Sequence, residues 1–103
     1  MNDSLNHVVL TGEIVERQTL RYTPGAIAVL DMKLQHEGMI EQAGASRTVK
    51  FEIAVVAMGD LALMWQSATL GQKLKVDGFL ASARQNSPRM VIHAQSIAVS
   101  SNV

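Results

Sequence analysis

Cysteine is absent from the 103 residues, proline occurs twice, and the aromatic supply is one Trp, one Tyr and two Phe. The missing thiols exclude a disulfide framework, thiol redox chemistry and thiolate zinc ligation, leaving hydrophobic burial as the main source of stability. No apolar run approaches the roughly 20 residues that a spanning helix requires. Met1-Asn2-Asp3-Ser4 has neither the basic start nor the apolar core of a secretion signal. A soluble, cytoplasmic chain with no membrane partner is therefore expected. Excess charge of either sign is lacking too: nine Lys plus Arg balance nine Asp plus Glu. Bulk charge thus does not announce a nucleic-acid partner as a strongly basic domain would.

What is present is a 48% hydrophobic composition at a length that suits one compact domain. That domain is expected over residues 1–99, with Ser100-Ser101-Asn102-Val103 as a loose tail. The charges are unevenly spread. Residues 1–60 carry five bases and eight acids, whereas residues 61–103 carry Lys73, Lys75, Arg84 and Arg89 against Asp77 alone. Such asymmetry permits a local positive face.

Alternation of apolar and polar residues predicts strands. The first runs from about Leu5 to Val15, with Val8, Leu10, Gly12 and Ile14 on one face and Val9, Thr11, Glu13 and Val15 on the other. A second, over about Ala26 to His36, sets Ala28, Leu30, Met32 and Leu34 against Val29, Asp31, Lys33 and Gln35. In the third, Val49, Phe51, Ile53 and Val55 alternate with Thr48, Lys50, Glu52 and Ala54. From Asp60 the period becomes helical: Leu61, Met64, Trp65 and Ala68 share a face, Asp60 is placed to cap, and Gly71 to end the segment. A short helix near 61–68 follows. Leu74, Val76, Gly78 and Leu80 then alternate with Lys73, Lys75, Asp77 and Phe79. After the turn signal Asn86-Ser87-Pro88 comes a less regular fifth strand over Met90 to Ala98.

Five strands with a helix between the third and fourth is the element order of an all-β, five-stranded Greek-key barrel of the oligonucleotide/oligosaccharide-binding (OB) fold. The long first strand, able to curve around Gly12, favours it over an SH3-like barrel. Enzymatic constellations are missing. His7, His36 and His93 stand on separate strands without a spacing that brings metal ligands together. There is no nucleophile elbow, no phosphate-cradling glycine loop and no thiol nucleophile. Glu13, Asp31 and Glu52 fall on outer faces, where solvated charge is the expected role. No catalytic residue, metal site or cofactor is assigned.

An OB barrel tracks a nucleic-acid backbone with basic residues and stacks bases on rings, using its second and third strands and the loops at one end. The basic residues fall in those elements: Arg17 and Arg21 in the first loop, Lys33 on the second strand, Arg47 and Lys50 on the third, Arg84 and Arg89 in the last hairpin loop. Tyr22, beside Arg21, is the stacking candidate, while Phe51 and Trp65 are read as core and Phe79 as outward. With so few rings, binding should lean on phosphate contacts and weaken with salt. Val9, Val15 and Val29 point outward in this phase, more apolar surface than a monomer needs, and strand-edge pairing into a dimer would cover it.

Particular strings carry a resemblance. Val8-Val9-Leu10-Thr11-Gly12-Glu13-Ile14, Leu20-Arg21-Tyr22-Thr23-Pro24-Gly25, and Leu70-Gly71 through Val76-Asp77-Gly78-Phe79-Leu80 resemble the bacterial single-stranded DNA-binding protein superfamily over nearly the whole chain. Gln35-His36-Glu37, Glu41-Gln42-Ala43-Gly44 and Met90-Val91-Ile92-His93-Ala94 are most similar to its primosomal replication protein N family. The superfamily's long C-terminal region with an acidic tip is not matched by the residues up to Val103.

The resemblance implies a homodimeric, non-enzymatic accessory of replication restart. It would bind single-stranded DNA at stalled or repaired forks, contact and stimulate the primosomal helicase, and meet further primosome proteins on the nucleoid. It also implies a DNA role for Arg21, Arg84 and Arg89, and places Lys50 where family members can carry an aromatic, so charge replaces stacking there and weaker DNA binding is expected. The rival reading is a dimeric protein–protein adaptor with incidental DNA contact.

Overall fold

The computed structural model describes residues 5–100. They form β1 (Val8–Arg17), β2 (Arg21–Tyr22), β3 (Ala28–Gln42), β4 (Ala45–Met58), α1 (Asp60–Met64), β5 (Lys73–Ser82) and β6 (Met90–Val99). The sheet order β1-β5-β6-β4-β3-β2, with β1 also paired to β3, closes five strands into a barrel and leaves β2 as a short addition. Only β4 and β6 run parallel. This is the OB barrel expected from the element order, with its helix between the third and fourth barrel strands. Among the described residues no helix is long and apolar enough to cross a membrane. The expected signal-free start at Met1 to Ser4 and residues 101–103 of the expected tail lie outside the described residues. Ser100 donates its N–H to the Lys73 carbonyl at 2.9 Å.

The inward rows are those the alternation marks. Ile14, Leu30, Leu34, Val55, Leu74, Val76 and Ile92 are each at most 1% exposed and meet in one core. β1 pairs with β5 over Val8 to Glu13 and with β3 over Glu13 to Arg17. At that handover Gly12 approaches β3 so closely that a Cβ would stand 3.0 Å from the Gln35 carbonyl oxygen.

Two bulges change the phase of the pattern. In β1, Ile14 pairs with Leu34 but Glu16 with Lys33, so Val15 is an extra residue and Glu16 is turned outward. Arg17, expected in a loop, ends this strand. Its Nη1 donates to the Gln66 carbonyl at 2.7 Å and to that of Ala68, tying β1 to the segment after α1. In β6, Ala94 pairs with Gly78 but Ser96 with Asp77, so Gln95 is extra. This is why the last strand reads as irregular: inward positions are even up to Ala94 and odd from Ile97.

The second and third expected strands are longer than the pattern indicates. They extend to Gln42 and back from Ala45 through a two-residue turn at Ala43 and Gly44, whose φ values of 55° and 79° are those of a type I′ hairpin turn. Past His36 and Phe51 this hairpin leaves the barrel as an arm, and the molecule measures 50 × 35 × 24 Å. Phe51, expected in the core, is 39% exposed because its inward-facing row has run past the end of the barrel. Its ring lies 5.2 Å from that of His36, whose Nδ1 donates to the Thr11 carbonyl at 2.7 Å.

Val29, expected on the surface, is buried, since Arg21 and Met58 flank it in register. The helix spans only Asp60–Met64; Gly59, not Asp60, is the N-cap. Leu61, Ala62, Trp65 and Ala68 pack on the core while Met64 points out.

Candidate nucleic-acid interface

The outward rows of β3, β4 and β6 build the site. Asp31 pairs with Val56, Val56 with His93, and His93 with Phe79 of β5. Two residues along each strand, on the same face, Lys33 pairs with Ala54, and Ala54 with Val91. The result is a floor of small apolar side chains with charge on one side and rings on the other. His93 and Phe79 are stacked, their planes 7° apart and their centroids at 5.2 Å. Glu16, Gln18, Arg21 and Thr23 wall the groove at one end and Ala83 and Arg89 at the other, enclosing about 520 Å³.

Four of the expected basic residues converge here. Arg17, Arg21, Lys33 and Arg89 line the groove, Arg17 with its guanidinium held by the Gln66 and Ala68 carbonyls, and Arg84 shares the exposed 83–89 loop with Arg89. That loop is shaped by a turn in which Ser87 N–H donates to the Arg84 carbonyl at 3.0 Å, with Asn86 at φ 65°. Arg47 and Lys50 do not join them. Both are exposed on the arm and, as an odd and an even position of one strand, on opposite faces of it. Arg47 donates to Gln42 Oε1 at 2.7 Å.

Tyr22 is exposed, as expected of a stacking ring. However, it belongs to the two-residue β2, in register with Ala28, while Arg21 is in register with Val29. Alternation puts the two on opposite faces, so they do not act as one unit.

Carboxylates are interleaved with these cations. Arg21 Nε donates to Asp31 Oδ2 at 2.7 Å and Nη2 to Oδ1 at 3.3 Å. This hydrogen bond, with the Asp31 charge, holds the guanidinium above its ordinary pKa. Lys33 Nζ lies 3.6 Å from Glu16 and 4.0 Å from Glu52. Arg47, Lys50, Arg84 and Arg89 make no ion pair among the described residues. No group of three His, Asp or Glu side chains there is placed to hold a metal. His93 and Glu16 also line the groove, a placement that the alternation of residues does not signal, and Phe79 stacks on His93 from the neighbouring strand β5. The row Val29-Asp31-Lys33 did place Asp31 beside Lys33, but its pairing with Arg21 depends on β2.

Comparison with known proteins bears on this geometry. The family model described as "Another single-strand binding protein family" matches residues 6–96. The replication restart protein PriB of Bordetella pertussis is 37% identical over 91 residues, covering 88% of this chain and 85% of that protein. The chain belongs to the PriB family. PriB of Neisseria gonorrhoeae is 36% identical over 92 residues, spanning 89% of this chain and 91% of its own. Among solved structures, PriB from Ralstonia solanacearum superposes with a TM-score of 0.83 at 27% identity, covering 93% of this chain and 98% of that one. The single-stranded DNA binding protein from Thermus aquaticus gives 0.75 at 29% identity, over 93% of this chain and 50% of that one. Membership of the PriB family sets the chain among binding proteins rather than enzymes.

Proposed function

We propose that this PriB-family chain is a single-stranded DNA-binding accessory of replication restart that works in the cytoplasm, at replication forks on the nucleoid. The observation that carries the reading is the groove across β3, β4 and β6, where an apolar floor, the His93 ring and a basic rim face one opening, with Phe79 stacked on His93 beside it. In this reading Arg21, Lys33, Arg47, Lys50, Arg84 and Arg89 are the phosphate-binding residues, the last four with no ion pair among the described residues and Arg21 and Lys33 in competition with their own carboxylates. Tyr22 offers one stacking face and the His93–Phe79 pair a second. The homologues' name, replication restart protein, supports the biological setting.

A homodimer that contacts and stimulates the primosomal helicase is the fuller form of the proposal. Val9 and Val99, at 48% and 60% exposure, and the open face of the arm at Ile40 and Phe51 supply apolar surface for protein contacts. The adaptor reading, with DNA contact incidental, draws on the zero net charge and on the carboxylates paired with Arg21 and Lys33.

Anisotropy titration of fluorescent dT oligomers against a duplex control decides between them. With four unpaired cations and about 0.7 released counterions per phosphate, log affinity should fall against log salt with a slope of about −2.8. That amounts to roughly 50-fold between 50 and 200 mM. Undetectable single-strand binding at low salt would leave the adaptor.

A further inference from the structure

We propose that Asp31 is a built-in competitor of the DNA backbone, occupying the Arg21 fork as a phosphate would and thereby setting how tightly the groove holds a single strand. The inference rests on the single-strand-binding reading. Its geometry is specific: Arg21 meets both Asp31 oxygens, at 2.7 and 3.3 Å, and the same planar fork recognises carboxylate and phosphate alike. The pair is open to solvent, with Arg21 57% and Asp31 29% exposed, so exchanging one anion for another needs no buried charge to be uncovered.

Lys33 is held in the same way, between Glu16 at 3.6 Å and Glu52 at 4.0 Å. The bulge at Val15 is what brings Glu16 there; without it Glu16 would follow Ile14 onto the core face. The end of the groove beside β1 and β2 thus holds the two cations Arg21 and Lys33, each already met by carboxylates, Asp31 for the first and Glu16 and Glu52 for the second. The unpaired cations stand at its edge and beyond, in the 83–89 loop and on the arm. Phosphates are therefore drawn to the rim, and the floor, with Ala54, Val56 and His93, is left to bases.

The test is dT-oligomer binding by the full chain carrying Asp31→Asn, which keeps the shape and removes the charge. The expected result at low salt is an affinity about threefold to tenfold tighter than the unmodified chain. The salt slope should be steeper by about 0.7, one more phosphate contact. The gain should vanish when Arg21→Gln is also present. Unchanged or weaker binding overturns the inference, because Asp31 would then be positioning Arg21. A gain of equal size with and without Arg21 also overturns it, since bulk charge would suffice.

Glu52→Gln, at an exposed position beside Lys33, gives an independent reading should Asp31→Asn fold poorly. Tighter binding that disappears when Lys33→Gln is also present supports the competitor model, and unchanged binding, or a gain that persists without Lys33, counts against it. If the unmodified chain binds and neither variant binds tighter, only this inference falls. If no form binds at low salt, the single-strand reading falls and takes the inference with it.

Discussion

Gly78→Ala is expected to lower stability by about 3 kcal/mol, the upper part of the range for overpacking a tight site. At about 4–8 °C per kcal/mol for a chain of this size, the melting temperature should fall by roughly 12–24 °C. A Cβ at this position would overlap the His93 carbonyl oxygen and stand 2.9 Å from its carbon and 3.0 Å from Ala94 Cα. All three are backbone atoms, so no change of rotamer relieves the overlap. β5 and β6 would have to separate at the Gln95 bulge, with loss of ladder hydrogen bonds on both sides. Gly38→Ala is the matched control: its nearest neighbour is the His36 ring at 3.2 Å, a side chain able to turn away. Urea unfolding followed by circular dichroism compares the two. Equal midpoints would show that β6 yields easily and that the close approach is not a constraint.

Replacing Arg84 and Arg89 together by Ala should weaken dT-oligomer binding by about tenfold or more and shrink the salt slope by about 1.4, two phosphate contacts. Both residues are exposed, neither makes an ion pair among the described residues, and Arg89 reaches the groove. The charge lost is therefore charge available to a ligand, unlike that of Arg21. Titrating at several salt concentrations separates the slope from the affinity. A double variant with both unchanged would move the binding face away from the 83–89 loop. Because the loop backbone is held by its own turn, the substitutions should leave the melting temperature close to that of the unmodified chain.

Much of the barrel was legible because core positions alternate cleanly where strands are regular. Leu30, Met32 and Leu34, then Leu74 and Val76, announce both their strands and their inward face. Three features escaped. Bulges at Val15 and Gln95 shift the alternation by one residue, and an apolar pattern alone does not say where an extra residue is inserted. The arm is invisible because Glu37-Gly38-Met39 carries little strand preference; the turn at Ala43-Gly44 and the ladder between the two strands hold it. Phe51 keeps the phase of a core residue after the core has ended.

The candidate site was half legible for a related reason. Sequence position places Arg21 and Asp31 ten residues apart on what looks like a loop and a strand, and only the β2–β3 register brings their charges together.

The arm has a consequence for how the molecule opens. His36, tied to the Thr11 carbonyl and set against Phe51, is the last tether between hairpin and barrel. Beyond it, residues 38–49 form a ladder of two strands with no third strand beside them among the described residues. Ribbons of that kind are marginally stable in water by themselves. Their backbone amides should therefore exchange with deuterium through local opening, at free energies well below that of global unfolding, while amides of Leu34, Val55 and Ile92 wait for the whole barrel to come apart. A protection profile with no step at His36 and Phe51 would contradict this. With the step in place, the chain is two cooperative units in one continuous sheet: a barrel that holds its shape and an extension that unzips and reforms on its own clock.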